Sequence, residues 1–499
     1  MAQHSYTNGT NYGKNAPLTI LLIKPHSHLL VAKRLQDFLH LEPLELEIVA
    51  GGVPKEDRVL IDDIALEKDP VAFFEKRVRE LKPDIVGFTA YSTQSAIVKD
   101  LARRAKAIVP GVLTVAGGIH ATIIPADYAG SDMDLVVRGE GGTAFGGLVR
   151  RFKKGEPLAS GDAVLEVKDS GFVQKASAKP PLFPAVEEIP RPRRELVNRK
   201  RYFSVWTSPD ENNRLKTMFP PIATIRTSTG CAYTCAFCVV HHMMSGKYLQ
   251  RSPEDVVDEI SKIQEDYIYF VDDETFLNAK RLTDIANLLK ERGIKKKYVS
   301  WARADTIVRH PELFKLWKEV GLHIVYVGLE AMDEERLKDY KKRTSVDTNK
   351  KAVQVLRDAG ILLHASLMVD PGFSVEDFRR LEKVIIDLIP SEVSFTVFSP
   401  SPGTELWHQH KNDFIIDSYL YYDCMHTVLP TKLDKKLFYA HFARLYSIGW
   451  RHNPLRLNRT KVPFREILRS IGKGTMYIIA MRNIYKDYQD YRQKRQGEA

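Results

Sequence analysis

The sequence predicts an α/β protein in three parts: an N-terminal Rossmann-like domain, a central partial (β/α)6 barrel and a C-terminal helical region. Two observations lead there. Apolar runs rich in β-branched residues alternate twice with helix-spaced segments, and a proline-rich break separates the two series. In the second series, the chemically capable residues gather at the carboxyl ends of the strand-like runs, where barrels build their active sites.

Residues 1–16 are polar, offer little to bury against the entropy of ordering, and are expected to be a disordered tail. Strand-like runs follow at 18–23, 84–89, 113–115 and 135–137, with helical spacing over 70–81 and 95–108. Residues 17–165 therefore read as a doubly wound domain. Gly117 and Gly118 follow one strand end, and Gly139, Gly141 and Gly142 another, where flexible backbone can approach a ligand closely. Pro180, Pro181, Pro184, Pro190 and Pro192, followed by Arg193 and Arg194, mark a linker spanning 166–215.

The barrel spans 216–411, with strand-like runs at 222–227, 267–271, 298–302, 324–328, 362–369 and 393–398. The first leads into Cys231, Cys235 and Cys238, and the second into Asp272, Asp273 and Glu274. Arg303 and Glu330 close the third and fourth, Asp370 and Gly372 the fifth, and the sixth runs into Pro400, Pro402 and Gly403. From 412 to 499 the pattern is helical, with aromatics at Phe438, Phe442 and Tyr446.

Composition narrows the function classes. A 44 % hydrophobic content can fill more than one core. No run of about 18 apolar residues occurs, and the start lacks an apolar leader, so a cytoplasmic protein is expected. Of four cysteines, three lie within eight residues and cannot staple a large chain. The net charge of +11 is lopsided: from Arg451 onward there are 12 Lys and Arg against 4 Asp and Glu. The excess belongs to a tail, and nucleic acid is not expected as a partner. Within that tail Tyr477, Met481, Ile484, Tyr485, Tyr488 and Tyr491 recur at three- and four-residue steps, with Arg482, Lys486 and Arg492 between them. This is a basic amphipathic helix, suited either to an anionic membrane surface or to packing on its own domain.

The cysteines stand in C-A-Y-T-C-A-F-C, a C-x3-C-x2-C spacing that lets three thiolates meet one inorganic centre. Three thiolates on a [4Fe-4S] cube leave one iron open to chelate the amino and carboxylate groups of S-adenosylmethionine. This spacing is the signature of radical S-adenosylmethionine enzymes. The competing reading is structural zinc, with His241 or His242 completing a Cys3His site. Cys424 stands apart and is expected to be a buried apolar thiol.

Further motifs accompany the cysteines: F-V-D-D-E-T-F from Phe270, W-A-R-A-D from Trp301, V-G-L-E-A from Val327, L-M-V-D-P-G from Leu367 and S-P-S-P-G-T from Ser399. The first domain carries F-T-A-Y-S-T-Q from Phe88, A-G-G-I-H-A-T from Ala116 and V-R-G-E-G-G-T from Val137. With these, the chain resembles the cobalamin-dependent radical S-adenosylmethionine enzymes from about Leu18 to Glu405. The resemblance implies that Phe237 lies near the adenine, and that Asp273 or Glu274, Arg303 and Glu330 contact amino, carboxylate or ribose groups. It further implies a cobalamin-binding module at 17–165, with Ser92, Thr93, Gly117, Gly118, His120, Gly139 and Glu140 at the cofactor. The D-x-H-x-x-G stretch that supplies an axial histidine in many such modules is absent, the sequence reading K-P-H-S-H-L; His26, His28 and His120 are the loop histidines.

By the same resemblance, hydrogen abstraction followed by methyl transfer from methylcobalamin would consume two S-adenosylmethionine molecules, with flavodoxin or ferredoxin as electron donor. F-L-H-L-E-P-L-E-L-E-I-V-A-G-G-V from Phe38 and Y-Y-D-C-M-H-T-V-L-P-T-K from Tyr421 look most like the hopanoid C-3 methylases. That implies a lipophilic substrate drawn from a membrane, which the basic C-terminal helix could touch at the inner membrane face. Two alternatives stand beside it: a ring-forming cyclase acting on a porphyrin-type substrate, and a non-catalytic cobalamin- or zinc-binding module. A methylthiotransferase is disfavoured, because no second cysteine trio precedes Cys231.

Overall fold

The computed structural model describes residues 16–497 apart from 162, 169–170, 172, 174–180, 182, 208–216 and 452–461. The tail expected at 1–16 therefore lies outside the described residues except for Ala16, as does part of the linker expected at 166–215. The chain forms two compact units. Among the described residues, the first holds those up to Ser27 together with Pro43–Asn198 and Met243–Ser245; the second holds His28–Glu42, Arg199–His242 and those from Gly246 onward. The main division thus falls after Asn198, and the helical region beyond 412 shares a unit with the barrel.

In the first unit a six-stranded sheet runs in the order Arg58–Asp63, Thr19–Lys24, Ile85–Thr89, Leu113–Gly117, Leu135–Val137, Val164–Glu166. All neighbours are parallel except the last pair. Alternate residues of each strand enter separate cores, as the two-residue period of a strand requires. Leu21, Ile23, Val86 and Phe88 meet helices Pro70–Leu81 and Ser95–Ile108 on one face. Ile20, Leu22, Ile85 and Val115 meet Leu44–Gly52 and Gly141–Lys154 on the other. The expected run at 113–115 extends to Gly117, that at 18–23 lies one residue later, and two strands, Arg58–Asp63 and Val164–Glu166, are additional to the expected ones. The helix pair on the second face packs backbone to backbone: a Cβ at Gly146 would sit 2.2 Å from the Gly52 carbonyl oxygen.

In the second unit six parallel strands lie side by side in chain order: Ile222–Ile225, Tyr267–Phe270, Lys297–Ala302, Leu322–Glu330, Leu362–Val369 and Glu392–Val397. This is the predicted partial barrel. Its helices start at residues that cap them: Ser252, Asn278, Asp333, Ser345 and Ser374 each accept a hydrogen bond from an amide in the first turn. One set of strand residues, including Ile225, Ile268, Phe270, Val325 and Val327, packs outward against those helices. The alternate set faces inward, and Ile222, Tyr267, Val299 and Ile324 cluster with Trp206 in the amino-terminal half of the barrel. The Trp206 indole donates to His364 Nδ1 at 2.8 Å; Trp301 packs tilted on Tyr326 at 3.8 Å between centroids, and Tyr326 stacks on His364 at 4.3 Å. Aromatic rings therefore plug the lower lumen.

Helix Lys435–Arg451 lies on the last strand, where the Tyr446 hydroxyl donates to the Phe395 carbonyl at 2.7 Å and accepts from its amide at 3.1 Å. Two helices follow, Phe464–Arg482 and Tyr485–Gly497. Tyr477, Met481, Ile484 and Tyr488 sink into the same core as the barrel. Of the two settings open to that amphipathic pattern, this face takes the intramolecular one. His426 bridges Asp423 and Asp487 at 3.0 Å each, joining the segment after the barrel to the last helix. No helix among the described residues is long and apolar enough to cross a membrane.

Candidate functional site

The cysteine loop leaves the barrel after the first strand, forms a short strand Ser228–Gly230 paired with Tyr248–Gln250, and re-enters regular structure at helix Val239–Met244. Its geometry is fixed from the neighbouring strand end. Buried Asp272 accepts from the Thr227 amide at 2.6 Å, the Thr227 hydroxyl at 2.5 Å and the Ser228 amide at 2.9 Å. Asp273 Oδ2 accepts from the Gly230 amide at 2.7 Å, immediately before Cys231. Between them these carboxylates hold the entry to the loop. Burial raises the pKa of both despite those hydrogen bonds. Glu274 differs. It is buried, its Oε1 has no hydrogen-bond partner among the described residues, and burial pushes its carboxyl up to about 8 against the pull of Arg303 and Lys342.

Arg303, at the end of the third strand, is buried and held on three sides. It donates to Asp305 Oδ1 at 2.8 Å and to the Lys342 carbonyl at 2.6 Å, and its Nη1 lies 3.4 Å from Cys235 Sγ. Its guanidinium also stacks on Tyr233 at 3.7 Å, while the Tyr233 hydroxyl donates to Asp305 at 2.8 Å. At the fourth strand end Glu330 pairs with Lys342 Nζ at 2.8 Å. Glu330 has φ +61, and strand register shifts between Gly328 and Glu330. Its carboxylate folds back so closely that a Cβ at Gly328 would lie 2.4 Å from Glu330 Oε1. A non-glycine residue in this region stores strain, which tends to be kept where a side chain must be aimed. Phe237 meets Tyr340 edge to face at 5.8 Å and lies 5.8 Å from Lys342 Nζ.

The eight residues read from the sequence at this rim are thus brought together, and Tyr233, Asp305, Tyr340 and Lys342 join them. Asp305 stood inside a quoted motif, whereas Lys342 sits in a surface-like K-K-R run that carried no signal.

The donor set fits an iron–sulfur cluster. The three thiols are half-buried, and burial pushes Cys231 to about 11 and raises Cys238. Cationic iron reverses that penalty by coordinating the thiolate form. The Arg303 contact to Cys235 is the kind of sulfur hydrogen bond that tunes such a cluster. Glu274, buried and unpartnered at one oxygen, suits the ammonium group of S-adenosylmethionine. Among the described residues, no three of His, Cys, Asp and Glu close on a position for one metal ion. Cys424, expected buried, is exposed and has φ +62.

In the first unit the strand order places Thr19–Lys24 and Ile85–Thr89 side by side although the chain leaves them in opposite directions across the sheet. That is the switch point at which doubly wound sheets open a crevice beyond their carboxyl ends. Ser92 and Thr93 lie just after one of these strands, next to exposed Tyr91. Gly117 accepts from the Ala90 amide at 3.1 Å, and Gly118 has φ +92, with only 2.8 Å between a hypothetical Cβ and the Ala90 nitrogen. Gly139 donates to Thr122 Oγ1 at 3.0 Å, and Glu140 Oε1 caps helix Gly141–Lys154 by accepting from Gly142 at 3.0 Å. His120 is fully buried, with Nδ1 3.1 Å from Ser92 Oγ and Nε2 3.0 Å from Asp127 Oδ2. Although burial pushes the Asp127 carboxyl up, the His120 hydrogen bond and the Lys99 ammonium draw it down to about 2. Both ring nitrogens are engaged, so His120 could bind cobalt only by giving up one of these contacts. The exposed ring, small side chains and turning backbone of the crevice fit a large planar cofactor with amide and phosphate groups.

The sequence profile of the radical SAM superfamily matches residues 225–385, and that of the B12 binding domain matches residues 29–149. The hopanoid C-3 methylase of Methylococcus capsulatus is 30 % identical over 425 residues, covering 83 % of this chain and 78 % of the relative. The anaerobic magnesium-protoporphyrin IX monomethyl ester cyclase of Rubrivivax gelatinosus is 28 % identical over 376 residues, covering 72 % of this chain and 64 % of the relative. Among solved structures, the cobalamin-dependent S-adenosylmethionine radical enzyme OxsB superposes with a TM-score of 0.64 at 15 % identity, over 97 % of this chain and 81 % of that one.

Proposed function

Because the chain belongs to the cobalamin-dependent radical S-adenosylmethionine enzymes, we propose that it methylates an unactivated carbon of a lipophilic substrate, a hopanoid at C-3 being the first candidate. The observation that carries this is the 30 % identity to a hopanoid C-3 methylase across both units, added to a rim that presents three thiols and one unpartnered buried carboxylate. The cofactors implied are a [4Fe-4S] cluster, S-adenosylmethionine and cobalamin, which together supply a carbon-centred radical and a transferable methyl group.

This chain's residues divide the remaining work. Cys231, Cys235 and Cys238 hold the cluster, and Arg303 places positive charge against the Cys235 sulfur while Asp305 and the Lys342 carbonyl fix its plane. Asp272 and Asp273 set the path of the loop. Glu274 would receive the ammonium of S-adenosylmethionine, Phe237 would offer a face to its adenine, and Glu330, paired with Lys342, would serve its ribose or carboxylate. In the first unit Ser92, Thr93, Gly117, Gly118, His120, Gly139 and Glu140 line the cobalamin crevice. Thiols that must stay reduced favour a reducing compartment such as the cytoplasm, a flavodoxin or ferredoxin would serve as reductant, and a lipophilic substrate favours work at the inner membrane face.

The test is anaerobic turnover with methyl-labelled S-adenosylmethionine, reductant, cobalamin and a lipid extract. Methylation adds one labelled methylene unit to a product. A ring-closed product without label supports the cyclase reading that the 28 % identical relative suggests. Failure to form any 5′-deoxyadenosine with a loaded cluster removes the radical chemistry altogether.

A further inference from the structure

Helix Phe464–Arg482 has two apolar faces, and among the described residues only one of them is packed within the chain. Ile467, Gly474, Tyr477, Ala480 and Met481 form the buried face. Tyr477 packs on Phe38 at 5.9 Å between ring centroids, and Lys473 reaches Asp37 at 3.1 Å, so the helix is fixed to its own unit. Roughly opposite, at helical spacing, Phe464, Leu468, Ile471, Met476 and Ile479 are 72, 54, 55, 45 and 46 % exposed. No other helix of the described residues carries more than two of the exposed large hydrophobic side chains. Isolated exposed apolar residues are ordinary; five in one stripe are not.

Charge identifies what covers the stripe. Exposed Arg465, Arg469 and Arg482 lie on the same helix, and exposed Lys486 follows it. The helix's one acidic residue, Glu466, is 3.7 Å from Arg469. An apolar stripe flanked by cations, on a helix that cannot span a bilayer, is the pattern of an element lying in the headgroup region of an anionic membrane. We propose that this face docks the enzyme onto an anionic bilayer, with Phe464, Leu468, Ile471 and Ile479 entering the acyl boundary and the arginines engaging lipid phosphates. The proposal rests on the lipophilic-substrate reading above and deepens it by naming the surface through which such a substrate is approached. The face differs from the one the sequence suggested, since Tyr477, Met481, Ile484 and Tyr488 are buried.

The experiment is co-sedimentation of the full-length holoenzyme with large vesicles of phosphatidylglycerol and phosphatidylcholine, or of phosphatidylcholine alone. Wild type should pellet with the anionic vesicles and be released as salt rises. Leu468→Asp combined with Ile471→Asp should lower partitioning by tenfold or more, and Arg465→Gln with Arg469→Gln by about thirtyfold, the scale set by removing two basic residues from an anionic surface. Ile386→Asp, at another exposed apolar position, serves as the control and should bind as wild type does. Wild-type failure to bind, or equal binding by the stripe variant, overturns the proposal. So does a wild-type dimer that the stripe variant converts to monomer, which would assign the face to a second copy. Formation of 5′-deoxyadenosine under reductant, measured without vesicles, should be unchanged in the stripe variant. Loss of that activity in wild type would instead count against the functional reading.

Discussion

Three consecutive carboxylates at one strand end have three different surroundings. Asp272 and Asp273 are consumed by backbone amides of the cysteine loop, whereas Glu274 keeps one oxygen without a partner among the described residues. Glu274→Gln is therefore expected to leave iron and sulfide content unchanged while weakening S-adenosylmethionine binding about 10- to 100-fold, the range of one hydrogen bond to a charged group. Equilibrium binding to the reconstituted protein measures it, and wild-type affinity would contradict the assignment. Cys235→Ala should abolish 5′-deoxyadenosine formation while cobalamin binding, read from its visible spectrum, persists. Undiminished deoxyadenosine output would sink the cluster assignment. The sequence showed the cysteines plainly, because their spacing is itself the chemistry. It could not say which of Asp273 and Glu274 meets the cosubstrate, since that depends on where the Gly230 amide comes to lie.

At the level of elements, the barrel strands were legible because parallel strands buried on both faces read as continuous apolar runs. Arg58–Asp63 was not: its first residue is exposed and its last two are acidic, as suits an edge. Helices Pro70–Leu81 and Ser95–Ile108 match the predicted spans. The glycines of Gly141–Lys154 carried a second meaning that no pattern revealed. In an ordinary helix, glycine to alanine stabilises by up to about 1 kcal/mol. Gly146→Ala should do the reverse, because its Cβ would meet the Gly52 carbonyl at 2.2 Å, and overpacking of this kind costs about 1–3 kcal/mol. Denaturant unfolding of the variant against wild type decides the sign.

Over the whole molecule, the C-terminal helices complete the barrel unit, and one buried histidine fastens them. Burial alone would lower the pKa of His426, but Asp423 and Asp487 raise it to about 9 from an ordinary 6.5. The folded value lies above the unfolded one, so this stabilisation is complete below about pH 6.5 and is lost as pH rises through about 9, an effect of up to about 3 kcal/mol. Melting temperature should fall across that window, and Asp487→Asn should flatten the slope; an unchanged slope would assign the dependence elsewhere. The sequence displayed the helical period of this region, but the choice between membrane and core for one face was a tertiary matter. The aromatic plug around Trp206 has its own consequence for traffic. Among the described residues, the lumen around Trp206 is filled by packed aromatic rings rather than left open. A molecule drawn into the barrel would therefore approach along the cysteine side or through the gap between the first and last strands, which are not hydrogen-bonded to each other.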